Sequence, residues 1–564
     1  MIFELLAGAA VAWVAWSLVC LEINVRKGRA INVPVKRLPI DPYNIAWLIF
    51  QDFLWMVIGR LPIEWSSLPD AVRFSRRGWQ FHEKANMHVR LGPVFALATP
   101  RVLFLLVADP EAAEDIFARR RDFLRPVADY KILEVYGPSV STAGSHDWAR
   151  HRKVLSAPFS ESSMPFVWGE SLRQGRATLQ SWTRASAAGV PSIQKDTRTL
   201  SLNVLASIGM RRSFPFHGSA DPPQAASEAN NYRDSLQTVL DNIILLLMVP
   251  YRFLTHPAMP RSWTRIGHAG AAFRAHLQHM VDAETQARSQ GWPGSGGLVT
   301  GLVQALEVHQ REVAAGTPAA DRKGLSLDEI IGDLFVINFA GHDTTANTLA
   351  FALLLLVAHP EIQTWVAEEL TAVLGDSPAA EGQWDYKTVY PRLKRCRAVL
   401  LETLRLFPPV IAIPKWTPGA PHTRLRVRDQ TLIIPAGTLV QPQIVALQRH
   451  PAFWPDPDAW LPGRWIVSSP ETGGEQLYEP SRLIYLPWSH GPMNCSGKKL
   501  SEVEFVAVLA CLLHRHRLGA VKLRPAESDR EVRKRVLAVA NDVDMPMLIK
   551  MRDADRVRVV CTEA

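Results

Sequence analysis

One long apolar run, bracketed by helix-start and helix-stop signals, constrains this chain more than any other feature. Ser326-Leu-Asp-Glu329 sets a hydroxyl three residues before a carboxylate, a capping box that opens a helix. The apolar pattern behind it reaches Ala358 and stops before Pro360, so the predicted helix has roughly 32 residues and a length of about 48 Å. Such a helix must cross a whole domain. Its middle is interrupted by Ala340-Gly341-His342-Asp343-Thr344-Thr345, residue types that helix interiors disfavour. A carboxylate beside a threonine, next to a glycine that opens the wall, is a way to bring protons into an apolar pocket. A polar kink facing solvent is the simpler reading of the same residues, and His342 reads as a bystander.

Further elements follow from punctuation. Pro360 and Gly375 bracket a second helix, and a third runs from Pro391 to Phe407, ended by Pro408 and Pro409. A last helix is expected from Gly497 to Arg517. Val89 to Leu97 and Val102 to Ala108 are β-rich runs around a turn, a predicted hairpin. Leu425 to Val427 and Thr431 to Ile434 read as two short strands. His450 to Pro470 is rich in Pro, Trp and Asp and reads as a long meander, the kind of loop that is usually functional. Segments 213–230 and 288–322 carry the least pattern and are expected to be mobile. The fold class is mainly α with a small β-rich lobe, in one main body despite 564 residues.

Ile2 to Ile23 is almost continuously apolar and is followed by Arg26, Lys27 and Arg29. Length and flanking charge predict a single-pass anchor over residues 1–24 with the rest of the chain on the cytosolic side; a cleaved signal would carry its positive charge in front. Pro34 and Pro39 suggest a stiff linker. Ile45 to Ile63, apolar but holding Asp52 and Arg60, suggests a helix lying against membrane lipid. Residues 25–70 are therefore expected to be linker and membrane-associated segment, and 71–564 the catalytic domain. The net charge of +9 is spread among 54 acids, which gives no nucleic-acid footprint. The five cysteines are scattered without metal-ligand or disulfide spacing, which fits a reducing compartment.

Three clusters join Asp343 and Thr344 as candidate chemistry. Trp488-Ser-His-Gly491-Pro-Met-Asn-Cys495-Ser-Gly497 places a cysteine between two glycines directly before a helix. Glycine lets backbone approach a flat ligand, and the helix start favours a thiolate, as a soft metal ion requires; a buried inert thiol has the same local sequence. Glu402 and Arg405 lie three apart on one helix face, as a surface pair would, yet their helix is apolar, and a buried arginine needs a further acceptor that Arg464 and the meander could organise. Trp148 and Arg152 aim two donors the same way, which suits a carboxylate, or else mark one edge of an amphipathic helix.

In this order and spacing the four clusters resemble the cytochrome P-450 superfamily over essentially the whole chain, most closely its microsomal enzymes from filamentous fungi, many of which oxidise secondary metabolites. The resemblance implies a mostly helical prism with a small β-rich lobe. It implies haem b (iron protoporphyrin IX) with Cys495 as its proximal thiolate, Trp488, Gly491 and Gly497 around that ligand, and Trp148 and Arg152 on a propionate. Glu402, Arg405 and Arg464 become a structural network, and Asp343 and Thr344 the acid-alcohol pair that protonates bound dioxygen. Val336, Ala340, Val410, Ile411 and Ile413, with the region from Tyr130 to Ser141, would line the pocket for an apolar small-molecule substrate. Electrons would come from NADPH through NADPH-cytochrome P-450 reductase, docking near Lys498 and Lys499, at the endoplasmic reticulum membrane. Two departures stand out. Trp488 replaces the usual Phe, and Met493 replaces an Arg that would face a propionate, so some other basic residue is expected there. No acid precedes Arg464. A haem-thiolate isomerase or dehydratase needing no dioxygen is the rival activity, and a non-catalytic membrane-tethered helical protein is the rival from another class.

Overall fold

The capping box is formed: Ser326 Oγ accepts the Glu329 N–H, and the Glu329 carboxylate accepts the Ser326 N–H. The helix it opens runs unbroken from Leu327 to Ala358. In this computed structural model residues 2–185, 188–211, 213–222, 228–292, 296–375, 384–419, 422–469 and 473–564 are described. The helices that position the site are α1 (Ile2–Ala30), α2 (Ile45–Ile58), α3 (Ser145–Ser156), α4 (Met164–Arg184), α5 (Ile193–Met210), α6 (Leu298–Ala314), α7 (Leu327–Ala358), α8 (Pro360–Leu374), α9 (Lys394–Leu406) and α10 (Lys498–Leu513).

From Ile330 to Ala358, α7 is buried on every face except at Phe339, Ala340, Gly341 and Thr344. A helix apolar all round belongs in the centre of a large core, and its four uncovered residues all border internal cavities. The unbroken, buried helix rules out the solvent-facing kink, and His342 is buried with its Nδ1 against the Asn338 carbonyl. α5 crosses α7 closely because Gly341 has no side chain: a Cβ there would stand 2.9 Å from a methyl of Leu205. α10 packs on α4 through a similar gap, Gly175 against Cys511. The surrounding core joins α7, α9 and α10 through residues such as Leu353, Val399 and Val506, each fully buried side chain contributing about 1.5–3 kcal/mol.

The β-rich lobe is a five-stranded sheet of β1 (Val35–Arg37), β2 (Val94–Ala98), β3 (Leu103–Val107), β4 (Lys415–Trp416) and β5 (Thr438–Pro442), in the order β1-β2-β3-β5-β4. β2 and β3 form the expected antiparallel hairpin, with Ala98 opposite Leu103. Its first strand starts later than the sequence suggested: Asn86–Leu91 is helical, and Gly92 turns the chain at φ +102°. Thr423–Val427 and Gln430–Ile434 pair as the second expected hairpin.

Several boundaries differ from expectation. α1 continues past residue 24 to Ala30, with Leu21 and Val25 buried against the sheet and Asn24 Nδ2 donating to the Thr99 carbonyl. The segment read as a stiff linker supplies β1, paired in parallel with β2. α9 begins at Lys394, after a short turn through Tyr390–Arg392, and α10 ends at Leu513, with Arg517 in a strand. About half of 288–322, expected to be mobile, is helix α6, which buries Leu298, Val299, Leu302, Val303 and Leu306; 223–227 and 293–295 lie outside the described residues. Among the described residues α1 is long and apolar enough by itself to cross a membrane, its span Ala7–Ala30 holding an 18-residue window of mean hydropathy 1.6. α2 leaves Ile49, Phe50, Phe53, Met56 and Val57 exposed.

Candidate active site

Cys495 opens onto a cavity of about 380 Å³ enclosed by α3, α7, the Pro409 to Ile413 segment and its own loop. The loop is shaped by hydrogen bonds from Cys495 N–H to the Trp488 carbonyl (2.9 Å) and from Asn494 N–H to the Gly491 carbonyl (3.2 Å). Gly491 adopts φ +72°, and a Cβ on it would meet the Phe117 carbonyl at 2.9 Å, so only glycine fits. Trp488 donates through Nε1 to Ser501 Oγ at 3.1 Å, which clamps the loop to the first turn of α10. Burial pushes the Cys495 thiol above its ordinary pKa, while the Gly497 and Lys498 N–H groups and the Arg152 charge act in the opposite sense. A metal ion in the cavity would reverse that balance, because coordination deprotonates a thiol.

Behind the loop lies a fully buried charge knot. Arg405 donates through Nε and Nη2 to the two Glu402 oxygens at 2.8 and 2.9 Å, and its other N–H groups reach the Gln448, Pro457 and Ala459 carbonyls. Arg464 Nε (3.0 Å), the Leu461 N–H and the Trp465 indole (2.9 Å) complete the Glu402 carboxylate. Gln448 passes this order to the loop by accepting the Leu486 N–H at 3.1 Å. The meander thus serves as a set of carbonyl acceptors, and Arg464 needs no acid before it, since Glu402 and the Pro455 carbonyl hold it.

Trp148 and Arg152 both border the cavity. Arg152 donates to the Asn494 carbonyl and side chain, both at 2.9 Å, and to Ser496 Oγ, so it grips both neighbours of Cys495. The helix carrying them is docked on α7 by a network invisible in the sequence. His151 Nδ1 meets Asp333 at 2.6 Å, Arg150 meets Glu329 at 2.6 Å, and Asp333 accepts the Val140 N–H at 2.7 Å. Burial lowers the His151 pKa, but the Asp333 and Glu329 carboxylates outweigh it and hold the imidazole up to about 9. One buried ion pair thereby fixes α3, α7 and the loop that walls the cavity.

On the opposite side Thr344 faces the cavity and donates to the Ala340 carbonyl at 2.8 Å. Asp343 does not share that face. Its Oδ1 accepts from Arg198 Nε at 2.9 Å in a small side pocket of about 20 Å³ with Asp241 and Lys550. The acid and the alcohol therefore straddle α7, one toward the cavity and one toward a polar side pocket.

Val336, Ala340, Val410 and Ile413 line the Cys495 cavity. Ile411, Tyr130 and Leu133 line a second cavity of about 830 Å³, which shares Arg125, Ser141, Val410, Ile413, Ser489 and Met493 with the first. Two cations at this junction escaped the sequence reading. Arg125 stands 3.9 Å from Met493 Sδ and donates to the Val140 and Ala143 carbonyls. Lys415, 6% exposed in β4, packs over the Phe117 ring at 5.4 Å. Neither makes an ion pair among the described residues, and burial together with Arg125 pushes the Lys415 pKa down to about 8. Buried like charges without a counter-ion suit an anionic ligand. Arg125 is thus a basic group standing beside Met493.

These features fit an anionic prosthetic group carrying a metal that takes a thiolate: a cavity-facing thiol on one side, a largely apolar helix wall with Thr344, Thr345 and Thr348 on the other, and cations at the edge. The comparison with known sequences says which group. The cytochrome P-450 pattern matches residues 69–538, and the chain belongs to that family. It is similar to a cytochrome P-450 monooxygenase of Arthrobotrys oligospora, 26% identical over 96% of this chain and 95% of the relative. It is also similar to the phomenoic acid biosynthesis cluster cytochrome P-450 monooxygenase of Leptosphaeria maculans, 26% identical over 88% of each chain. A monooxygenase of Postia placenta is 29% identical over 76% of this chain and 77% of its own. The chain is accordingly an oxidoreductase of the haem monooxygenase class, which overturns the reading as a non-catalytic helical protein.

Proposed function

We propose that the chain oxidises an apolar small molecule of secondary metabolism by inserting one atom of dioxygen, with electrons delivered from NADPH by a reductase. The observation that carries this reading is Cys495 facing Thr344 across one cavity whose edge holds cations without an ion pair among the described residues. Haem bound there would supply dioxygen activation: one oxygen atom enters the substrate, and the other leaves as water with two electrons and two protons. Cys495 would hold the metal as thiolate, and Arg152, Arg125, Lys415 and the Trp148 indole would face the two carboxylates. Met493 leaves its usual propionate partner's role to Arg125, which is held at the same place by two backbone carbonyls. Thr344 Oγ1 can pass a proton into the cavity, and Asp343, paired to Arg198 in the side pocket, can reload it from the polar side. Val336, Ala340 and Val410 exclude water from the reacting carbon.

α1 and the exposed face of α2 support attachment to the endoplasmic reticulum membrane as a single-pass protein, with 71–564 cytosolic. Lys498 packs over Trp488 at 5.5 Å and Lys499 over Tyr390 at 4.6 Å. Their charges remain close to the Cys495 loop, where an acidic reductase would dock.

The test is oxygen incorporation. Membranes holding the protein and its reductase are incubated with NADPH, isotopically labelled dioxygen and candidate apolar metabolites, and products are read by mass spectrometry. One labelled oxygen per product is expected. Turnover that needs neither NADPH nor dioxygen would transfer the assignment to the isomerase or dehydratase activity.

A further inference from the structure

The larger cavity has a polar end that the oxidation does not use. Gln51 of α2 and Arg76 and Arg77, just beyond the helix Asp70–Ser75, line this cavity and not the one that holds Cys495. Gln51 is 1% exposed. Its Oε1 accepts the Arg77 N–H at 2.9 Å, which fixes the amide orientation and leaves Nε2 as a donor with no acceptor among the described residues. Arg77 directs Nη2 to Asp52 at 3.1 Å, and its buried Nη1 meets no acceptor there either. The Arg76 guanidinium lies over the rings of Trp55 and Trp65, at 5.0 and 5.7 Å, without an ion pair among the described residues. Asp544, Asp542 and Asp52 are within electrostatic reach of Arg76, as is the Arg552 charge, but Asp542 is held by Arg552 and Arg556 and Asp52 by Arg77. The Trp55 indole N–H is a further buried donor without an acceptor among the described residues.

Folded proteins leave only a small minority of buried donors unmade. Here such donors gather where two adjacent segments meet at the wall of a cavity, beside a guanidinium without a counter-ion. The complement of a donor-only site is an acceptor-only group, and a carboxylate is the side of organic chemistry that is purely acceptor and matches an arginine fork.

We infer that Gln51, Arg76 and Arg77 hold the carboxylate of the substrate, so that the enzyme acts on apolar carboxylic acids. The inference rests on the oxidation proposed above and specifies its substrate class. The skeleton of the acid runs along apolar walls such as Leu106, Leu133, Leu247 and Phe339 toward Val410 and Met493, where the two cavities join. Oxidation therefore falls on the part of the skeleton remote from the carboxyl group.

The experiment titrates the haem-loaded full-length protein with straight-chain acids from octanoic to stearic acid and with their methyl esters, which keep the skeleton and remove the charge. Binding is read by the haem absorption shift and by tryptophan fluorescence. The best acid is expected to bind about tenfold or more tighter than its own ester. Arg76→Gln with Arg77→Gln, and separately Gln51→Glu, which fills the site with its own carboxylate, bring that ratio toward one. Equal affinities in the unsubstituted protein, a ratio that survives both sets of substitutions, or no binding by any acid overturns the inference. A parallel arm uses phosphatidylcholine vesicles with and without phosphatidylserine. If the arginine substitutions abolish a preference for the serine lipid and leave the acid-to-ester ratio intact, the donors serve lipid headgroups and the inference fails. The oxidation reading fails separately, when acids bind and yet no acid or ester gains oxygen with NADPH and dioxygen.

Discussion

Two buried clusters of basic residues flank the Cys495 loop, and they are built on opposite principles. In the first, Arg405 and Arg464 converge on Glu402, and their other donors reach the carbonyls of Gln448 and of the meander. In the second, Arg125 and Lys415 lie within electrostatic reach of each other beside the larger cavity, and neither makes an ion pair among the described residues. Where the chain neutralises its own charges, the result is a rigid mount for the loop. Where it leaves cations unbalanced beside a cavity, it waits for an anion from outside. The same contrast recurs at the mouth of the larger cavity, where Gln51, Arg76 and Arg77 form the second kind of cluster.

The largest effect separates the clusters directly. Glu402→Ala strips the counter-ion from two buried guanidinium groups and should cost about 3–5 kcal/mol, read as a lowered denaturation midpoint of the haem-free protein. Arg125→Met should change the same midpoint by only about 1 kcal/mol, because it leaves no buried charge unpaired and frees only the Val140 and Ala143 carbonyls, and should show its defect as weakened haem retention. Equal losses in the two variants would break the contrast.

Asp343→Asn comes next. It removes the acid from the Arg198 pair and should slow turnover about 100-fold, with the substrate-induced absorption shift retained. A comparable loss of substrate binding would mean that Asp343 shapes the cavity rather than moving protons.

A smaller effect follows from Lys415, pushed down to about 8 by burial and Arg125. The unfolded chain keeps an ordinary lysine and holds more protons between pH 8 and the usual value near 10.4. Stability of the haem-free protein should therefore rise with pH over that window, with a slope of at most about 1.4 kcal/mol per pH unit. A bound carboxylate restores the charge, so haem should transfer to an acceptor protein faster as pH rises through about 8. Lys415→Met should flatten both profiles. The smallest effect is Gly341→Ala, whose methyl meets Leu205 at 2.9 Å; it should destabilise by about 1 kcal/mol, measured by chemical denaturation.

The features legible in the sequence share one property: their partners are close in the chain or sit on one regular element. The capping box, the apolar run of α7 and the Glu402 to Arg405 spacing are local, and Cys495 is marked by its own glycines. Arg125 and Lys415 lie nearly three hundred residues apart, and neither carries a local signal; only the fold brings them to one cavity edge. His151 and Asp333 are hidden for the same reason, each an ordinary polar residue until α3 docks on α7. α6 was missed because its apolar residues stand among Gly, Ala and Pro on both sides, so composition masked a helical period that runs Leu298, Leu302, Leu306. The ends of α1 and of the β2 strand moved because packing on the sheet, and not propensity, decides where they stop. Asp343 and Thr344 are adjacent in the sequence, but adjacent residues on a helix point about 100° apart, and the structure turns one to the side pocket and the other to the Cys495 cavity.

The most direct test of the central claim is the absorption spectrum of the reduced, carbon-monoxide-bound protein. With Cys495 as thiolate ligand, the unsubstituted protein should show the red-shifted band of a haem-thiolate centre, and Cys495→His should lose it while still retaining haem. A band at the unshifted position in the unsubstituted protein, or a red-shifted band that persists in Cys495→His, would contradict the assignment.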